Sequence, residues 1–114
     1  MLAGKVMGAH GAIGTTYNLM PKMNVAMSNL YLAGEVIAAQ DLMQKCNRVI
    51  EILTGGAAEC PRPNTKTLAA MKFLMRELQG LPAGFVHPNT SEELTAKEET
   101  EILAAIDALG FVPE

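Results

Sequence analysis

Gly8-Ala9-His10-Gly11-Ala12-Ile13-Gly14-Thr15-Thr16-Tyr17-Asn18 is the stretch whose reading decides the fold. Gly8, Gly11 and Gly14 recur at every third position, ahead of a β-branched and aromatic run. Ala12–Tyr17 has the make-up of a short buried strand. Met1–Met7 reads as the end of a helix before it, and Asn18 as a cap for the helix that follows. Everything downstream is helical in pattern. A buried strand without a partner leaves its N–H and C=O groups unpaired. Either this strand does not form, or its neighbours lie in sequence outside these 114 residues.

The helical signals are plain. Ala39, Leu42, Met43, Cys46, Val49, Ile50 and Leu53 form one apolar stripe. Gln40, Asp41, Gln44, Lys45, Arg48 and Glu51 occupy the opposite face, with Asp41 and Lys45 in the favourable i,i+4 order. Gly55-Gly56 stops this helix. Gly34 separates it from an earlier helix spanning Leu19–Leu32, with Pro21 in the first turn. A third helix is expected over Thr65–Gln79. Asn64 is its N-cap, Leu68, Met71, Met75 and Leu78 are its stripe, and Gly80 is its stop. Thr95-Ala96-Lys97-Glu98 reads as a capping box for a fourth helix. Ile102, Ile106 and Leu109 make its stripe, and Gly110 ends it. Ala57–Pro63 and Leu81–Ser91 are Pro- and Gly-rich connectors.

Composition narrows the function. A chain of 114 residues, 49% hydrophobic, can build one domain with a core. It is 18% charged with a net charge of −3, a poor match for phosphates or an anionic membrane surface, so neither nucleic acid nor membrane is an expected partner. Three Phe, two Tyr and no Trp argue against base stacking. The start has no basic segment followed by an apolar run, so no signal peptide is read there. Cys46 and Cys60 form no disulfide framework, which makes a reduced, cytoplasmic protein the default.

Candidate chemistry is sparse. The glycines match neither a P-loop nor a dinucleotide fingerprint. His10 and His87 make no metal-ligand spacing with any Cys or acid, so no metal is expected. Cys46 lies on a core stripe with nothing adjacent to activate it. Lys45 and Lys72 lie on polar helix faces. Lys22, Lys66 and Lys97 lie near helix starts, and Lys5 in a short Gly-flanked segment. None resembles a desolvated Schiff-base amine. Thr15, Thr16 and Tyr17 have two readings, as hydroxyls facing a ligand at a strand end or as fillers of the turn into the next helix.

Leu2-Ala3-Gly4 followed by Gly8–Asn18 resembles the segment around the eighth strand of the N-acetylneuraminate lyases, whose pattern is G-x-x-G-x-[IV]-G-S-T-Y-N. Gln44–Leu53, with its Cys46-Asn47-Arg48-Val49-Ile50 run, is similar to the helix after the barrel in those enzymes. Thr65–Met75 and Gly80–Pro88 resemble their later helix and connector. The strand-eight motif is the specific part of the likeness.

The resemblance implies an α/β fold of the dihydrodipicolinate synthase superfamily, a (β/α)8 TIM barrel of about 300 residues. It implies that this mostly α-helical chain is the C-terminal part of one. Residues 1–18 would be the end of helix seven and strand eight, 19–33 helix eight, and 34–114 added C-terminal helices. The implied chemistry is reversible aldol cleavage of N-acetylneuraminate through a lysine Schiff base, without cofactor, in a cytoplasmic homotetramer. The family's lysine, acid/base tyrosine and Asp-Glu pair would all precede Met1, leaving no catalytic residue in this chain. Thr15 occupies the family's serine position, whose hydroxyl meets the polyol end of the sugar, and is the one substrate-binding residue implied. Gly11, Gly14, Thr16, Tyr17 and Asn18 match the motif as structural residues. Two other readings stand beside this one: a different 2-keto acid aldolase of the superfamily, and an independent helical interaction domain.

Overall fold

The computed structural model describes residues 1–89 and 91–111. Helices α1 (Leu2–Val6), α2 (Pro21–Leu32), α3 (Val36–Thr54), α4 (Thr67–Gln79) and α5 (Ala96–Ala108) carry the fold, with short 3-10 helices at Thr15–Asn18 and Asn64–Lys66. The described chain falls into two compact units, residues 1–47 and 48–111.

In the first unit α1 packs on α2, and the 3-10 helix at Thr15–Asn18 joins them. Leu19, Met20 and Met27 are its fully buried large side chains, with Leu2 buried beside them in α1. Gly8 ends α1 at φ +90, and Pro21 opens α2 where its missing N–H costs no helical bond. Gly34, at φ +83, separates α2 from α3. The expected strand over Ala12–Tyr17 does not form. His10–Gly14 is irregular chain, and Ile13 is completely exposed. No second strand exists among the described residues, and without a partner ladder an extended run gains nothing over solvated coil. Asn18 does not cap α2 either. The N-cap is Met20, and Asn18 lies one turn earlier, inside the 3-10 helix.

In the second unit α4 packs on α5. Ile52, Leu53, Met71, Leu74 and Ile102 are buried to 1–2% or less. The α4 stripe is rotated from expectation. Ala69, Ala70, Met71, Phe73 and Leu74 are buried, whereas Leu68 is 42% exposed. Asn64 begins a 3-10 turn instead of capping α4, and its carbonyl accepts the Thr67 hydroxyl at 2.8 Å. Asp41 and Lys45 form no ion pair. The acid–base pair on α3 is Arg48 with Glu51, three residues apart, and Arg48 also reaches Glu59. Gly55, Gly80 and Gly110 end their helices at positive φ, and Thr95 with Glu98 closes the capping box at α5.

The connector after α4 is strapped down by polar contacts. Arg76 donates to the Ala83 carbonyl at 3.1 Å, and Lys72 to the Phe85 carbonyl at 2.8 Å. Ser91 donates to the Thr65 carbonyl at 2.6 Å. Among the described residues no helix is long and apolar enough to cross a membrane.

Candidate functional site

The site begins where α1 stops. The Gly8 N–H donates to the Lys5 carbonyl at 3.0 Å and the Ala9 N–H to the Gly4 carbonyl at 2.8 Å, so the chain leaves the helix through a glycine-closed turn. From there to Gly14 the backbone N–H groups make no hydrogen bond to described residues. Gly14 is extended, at φ −163 and ψ 140. At Thr15 the chain tightens into a 3-10 turn, with the Tyr17 N–H on the Gly14 carbonyl at 3.1 Å. The Asn18 side-chain amide donates back to the Thr15 carbonyl at 2.9 Å. The Tyr17 ring lies so close over Gly14 that a Cβ there would meet Cζ at 3.1 Å. Leu19 and Met20, at 0% and 1% exposure, then anchor the segment.

Thr15 is exposed, and its hydroxyl makes no hydrogen bond among the described residues. A cavity of about 350 Å³ in the same unit is lined by Lys5, Gly11, Ala12, Tyr17, Asn24 and Ser28, among others. Thr15 is not part of that lining. Asn24, the one buried polar side chain of this unit, donates to the Met20 carbonyl at 2.6 Å. Of the motif residues, Gly14, Thr16, Tyr17 and Asn18 are therefore brought together in one turn, while Gly11 lies outside it in the irregular run before it.

The other candidates take no part in the hydrogen bonds of this turn. His10 and His87 are both exposed, and the His87 Nδ1 accepts the Asn89 N–H at 3.2 Å. Cys46 and Cys60 are buried free thiols. Burial pushes the Cys46 thiol above its ordinary value, the reverse of what a nucleophile needs. Lys66 is held by Glu98 and Lys72 by a backbone carbonyl. Among the described residues no three His, Cys, Asp or Glu side chains gather to hold a metal.

One functional-looking residue escaped the sequence reading. Arg62 donates to the Ile52, Leu53 and Cys60 carbonyls and so caps the end of α3. Its only sequence signal was a cation shortly after a glycine-terminated helix.

Comparison with known proteins identifies the setting of the turn. The chain matches the Dihydrodipicolinate synthetase family over residues 1–104. It is 40% identical over 83 residues to an N-acetylneuraminate lyase of Rhizobium meliloti, covering 73% of this chain and 24% of that protein. A Mediterraneibacter gnavus protein of the same name is 28% identical over 85 residues, covering 75% and 25%. An Enterobacter counterpart is 39% identical over 51 residues, covering 45% and 17%. The chain thus spans about a quarter of the length of the first two relatives. No solved structure matches. With the family match running through α1, the Thr15 turn and most of α5, the chain belongs to the Dihydrodipicolinate synthetase family.

Proposed function

We propose that this chain is the C-terminal part of an N-acetylneuraminate lyase, a Schiff-base aldolase that cleaves N-acetylneuraminate to N-acetylmannosamine and pyruvate. The observation that carries it is the 40% identity over 73% of the chain to the Rhizobium meliloti lyase. In this reading residues 1–18 complete helix seven and supply strand eight of a (β/α)8 barrel. Residues 19–33 are helix eight and 34–114 the added helices. The exposed run through Ile13 becomes a strand once neighbouring strands supply partners for its backbone.

The chemistry then divides between this chain and the rest of the protein. A lysine amine outside this chain adds to the substrate ketone, and water leaves. The iminium formed takes the electron pair released as the carbon–carbon bond breaks, and a tyrosine outside this chain moves the proton. This chain supplies Thr15, whose free hydroxyl binds the polyol end of the sugar. Tyr17 packs on Gly14 and is not the acid/base. No cofactor takes part, and the assembly is a cytoplasmic homotetramer acting on small molecules. Thr15 in place of the family's serine is the feature that favours the second reading, a different 2-keto acid as substrate.

The test is a chimera in which this chain replaces the stretch it matches in the Rhizobium meliloti lyase. The chimera should trap pyruvate under borohydride at a lysine outside this chain and should cleave N-acetylneuraminate. A folded chimera that traps pyruvate but cleaves only another 2-keto acid would support the second reading. A pyruvyl adduct on a lysine of this chain, with the isolated chain labelled equally well, would overturn both.

A further inference from the structure

The turn at Thr15 is built more firmly than an ordinary exit into a helix requires. A 3-10 turn needs only its backbone hydrogen bonds, which the Tyr17 N–H on Gly14 and the Leu19 N–H on Thr16, both at 3.1 Å, already provide. Two side chains are added to it. The Tyr17 ring covers the Cα of Gly14, so the residue before Thr15 has no room for a side chain without displacing the ring. The Asn18 amide reaches back three residues to the Thr15 carbonyl. The effect is concentrated on Thr15. Its carbonyl is tied, its predecessor is clamped, and the chain four residues on is anchored by fully buried Leu19. Its hydroxyl alone is left unengaged.

Upstream the contrast is sharp. Between His10 and Ile13 the one side-chain bond to the backbone among the described residues is from the Lys5 ammonium to the His10 carbonyl, at a long 3.5 Å, and Ile13 is wholly exposed. A β-branched residue is restricted at χ1, so fixing its backbone narrows the directions in which its hydroxyl can point. A hydroxyl held that way binds a ligand without first losing conformational freedom.

We infer that Asn18 is a positioning residue for the Thr15 hydroxyl: its amide fixes the Thr15 backbone so that the hydroxyl is presented in one orientation to a sugar polyol. The inference rests on the proposed role of Thr15. In this role Asn18 does not touch the substrate and acts through the Thr15 carbonyl it holds. An aspartate of the same shape cannot donate and sets a carboxylate against that carbonyl. A serine can donate to the same carbonyl three residues back.

The experiment uses the Rhizobium meliloti chimera carrying this chain, with Asn18→Asp, Asn18→Ser, Thr15→Ala and the Thr15→Ala/Asn18→Asp double variant. For each, kcat and KM with N-acetylneuraminate are measured beside borohydride trapping of pyruvate. Asn18→Asp should lower kcat/KM for the sugar acid about two- to tenfold, the scale of one hydrogen bond, and by no more than Thr15→Ala does. Pyruvate trapping should be unchanged, and Asn18→Ser should retain kcat/KM. The double variant should be no worse than Thr15→Ala alone, because Asn18 acts through Thr15. Fully additive losses would overturn the inference, as would trapping and turnover falling together or an Asn18→Asp variant with normal kinetics. If Thr15→Ala itself has normal kinetics, the polyol contact proposed for Thr15 fails first and the inference falls with it. If Thr15→Ala is impaired and Asn18→Asp is not, only the inference fails.

Discussion

The Lys66 ammonium lies 2.8 Å from the same Glu98 carboxylate oxygen that accepts the Thr95 N–H at 2.7 Å. One carboxylate thus closes the capping box of α5 and pins the start of α4 to it. The Lys66 and Glu98 side chains are only 12% and 16% exposed, so solvent screens the pair less than it would a surface bridge. Burial by itself would raise the Glu98 carboxyl. Hydrogen bonds from Lys66 and Thr95 outweigh it and bring the pKa down from 4.5 to about 2.

That depression has a sign. A carboxyl whose folded pKa lies below its unfolded one stabilises the fold above the unfolded value, and the contribution disappears as pH falls to the folded one. The loss should therefore run from about pH 4.5 down to about pH 2. Discounted for partial screening, it amounts to about 1–2 kcal/mol. Denaturant melts of wild type and Glu98→Gln at pH 7 and pH 3 measure it. Glu98→Gln should be less stable at pH 7, and the gap should narrow at pH 3. A constant gap would assign the effect to packing instead of charge.

Gly55 provides a second test, of backbone rather than charge. It sits at φ +77, and a Cβ there would overlap the Arg62 carbonyl oxygen. Gly110 has a similar φ of +63 with open space around it. Gly110→Ala should cost about 1 kcal/mol, the left-handed penalty alone. Gly55→Ala should cost about 2 kcal/mol or more, because it must also move backbone and the Arg62 cap with it. Equal losses from paired thermal melts would mean that the Arg62 segment yields freely.

These positions also show what the sequence could reveal. The Thr95 box was legible because both partners lie within four residues, as were the glycine stops at Gly34, Gly55, Gly80 and Gly110. The α4 face was not. Leu68 and Leu78 outrank Ala69 and Ala70 in hydropathy, yet both alanines are buried and Leu68 is exposed, because small residues let neighbouring segments pack closely. The strand over Ala12–Tyr17 was written in residue preference alone, and a strand is a property of two chains or two segments. The capping role of Arg62 depends on the loop folding back over α3, which no local pattern encodes. The motif around Thr15 was readable as a motif, but its bracing by Tyr17 and Asn18 was not. That bracing needs the 3-10 turn that stands where a strand was expected.

The cysteines give a prediction about reactivity. Cys46 and Cys60 are 4% and 2% exposed, and burial raises the Cys46 thiol. In the native chain at pH 8 both should react with iodoacetamide far more slowly than in 6 M guanidinium, by about tenfold or more. Peptide mass mapping over time separates the two sites. Rapid native labelling of Cys46 would mean that its buried stripe opens readily.

Thr15 gives the prediction on which the proposed binding role depends. Its hydroxyl is exposed and makes no hydrogen bond among the described residues, so removing it should cost the fold little. Thr15→Ala in the chimera should leave the melting temperature within about 1 °C, since surface changes of this kind stay within about 0.5 kcal/mol. Pyruvate trapping should persist if, as proposed, the ketone and carboxylate are held by residues outside this chain. Turnover of the sugar acid should fall, with kcat/KM down by the equivalent of about 0.5–1.5 kcal/mol for one neutral hydrogen bond. Thr15→Ser keeps the hydroxyl and should retain activity. A purely structural Thr15 predicts the opposite pattern, with the melting temperature, trapping and turnover declining together. The fate of KM sharpens the reading. A rise in KM with kcat unchanged means that the hydroxyl binds substrate and transition state alike. A fall in kcat means that it contributes where the carbon–carbon bond is breaking.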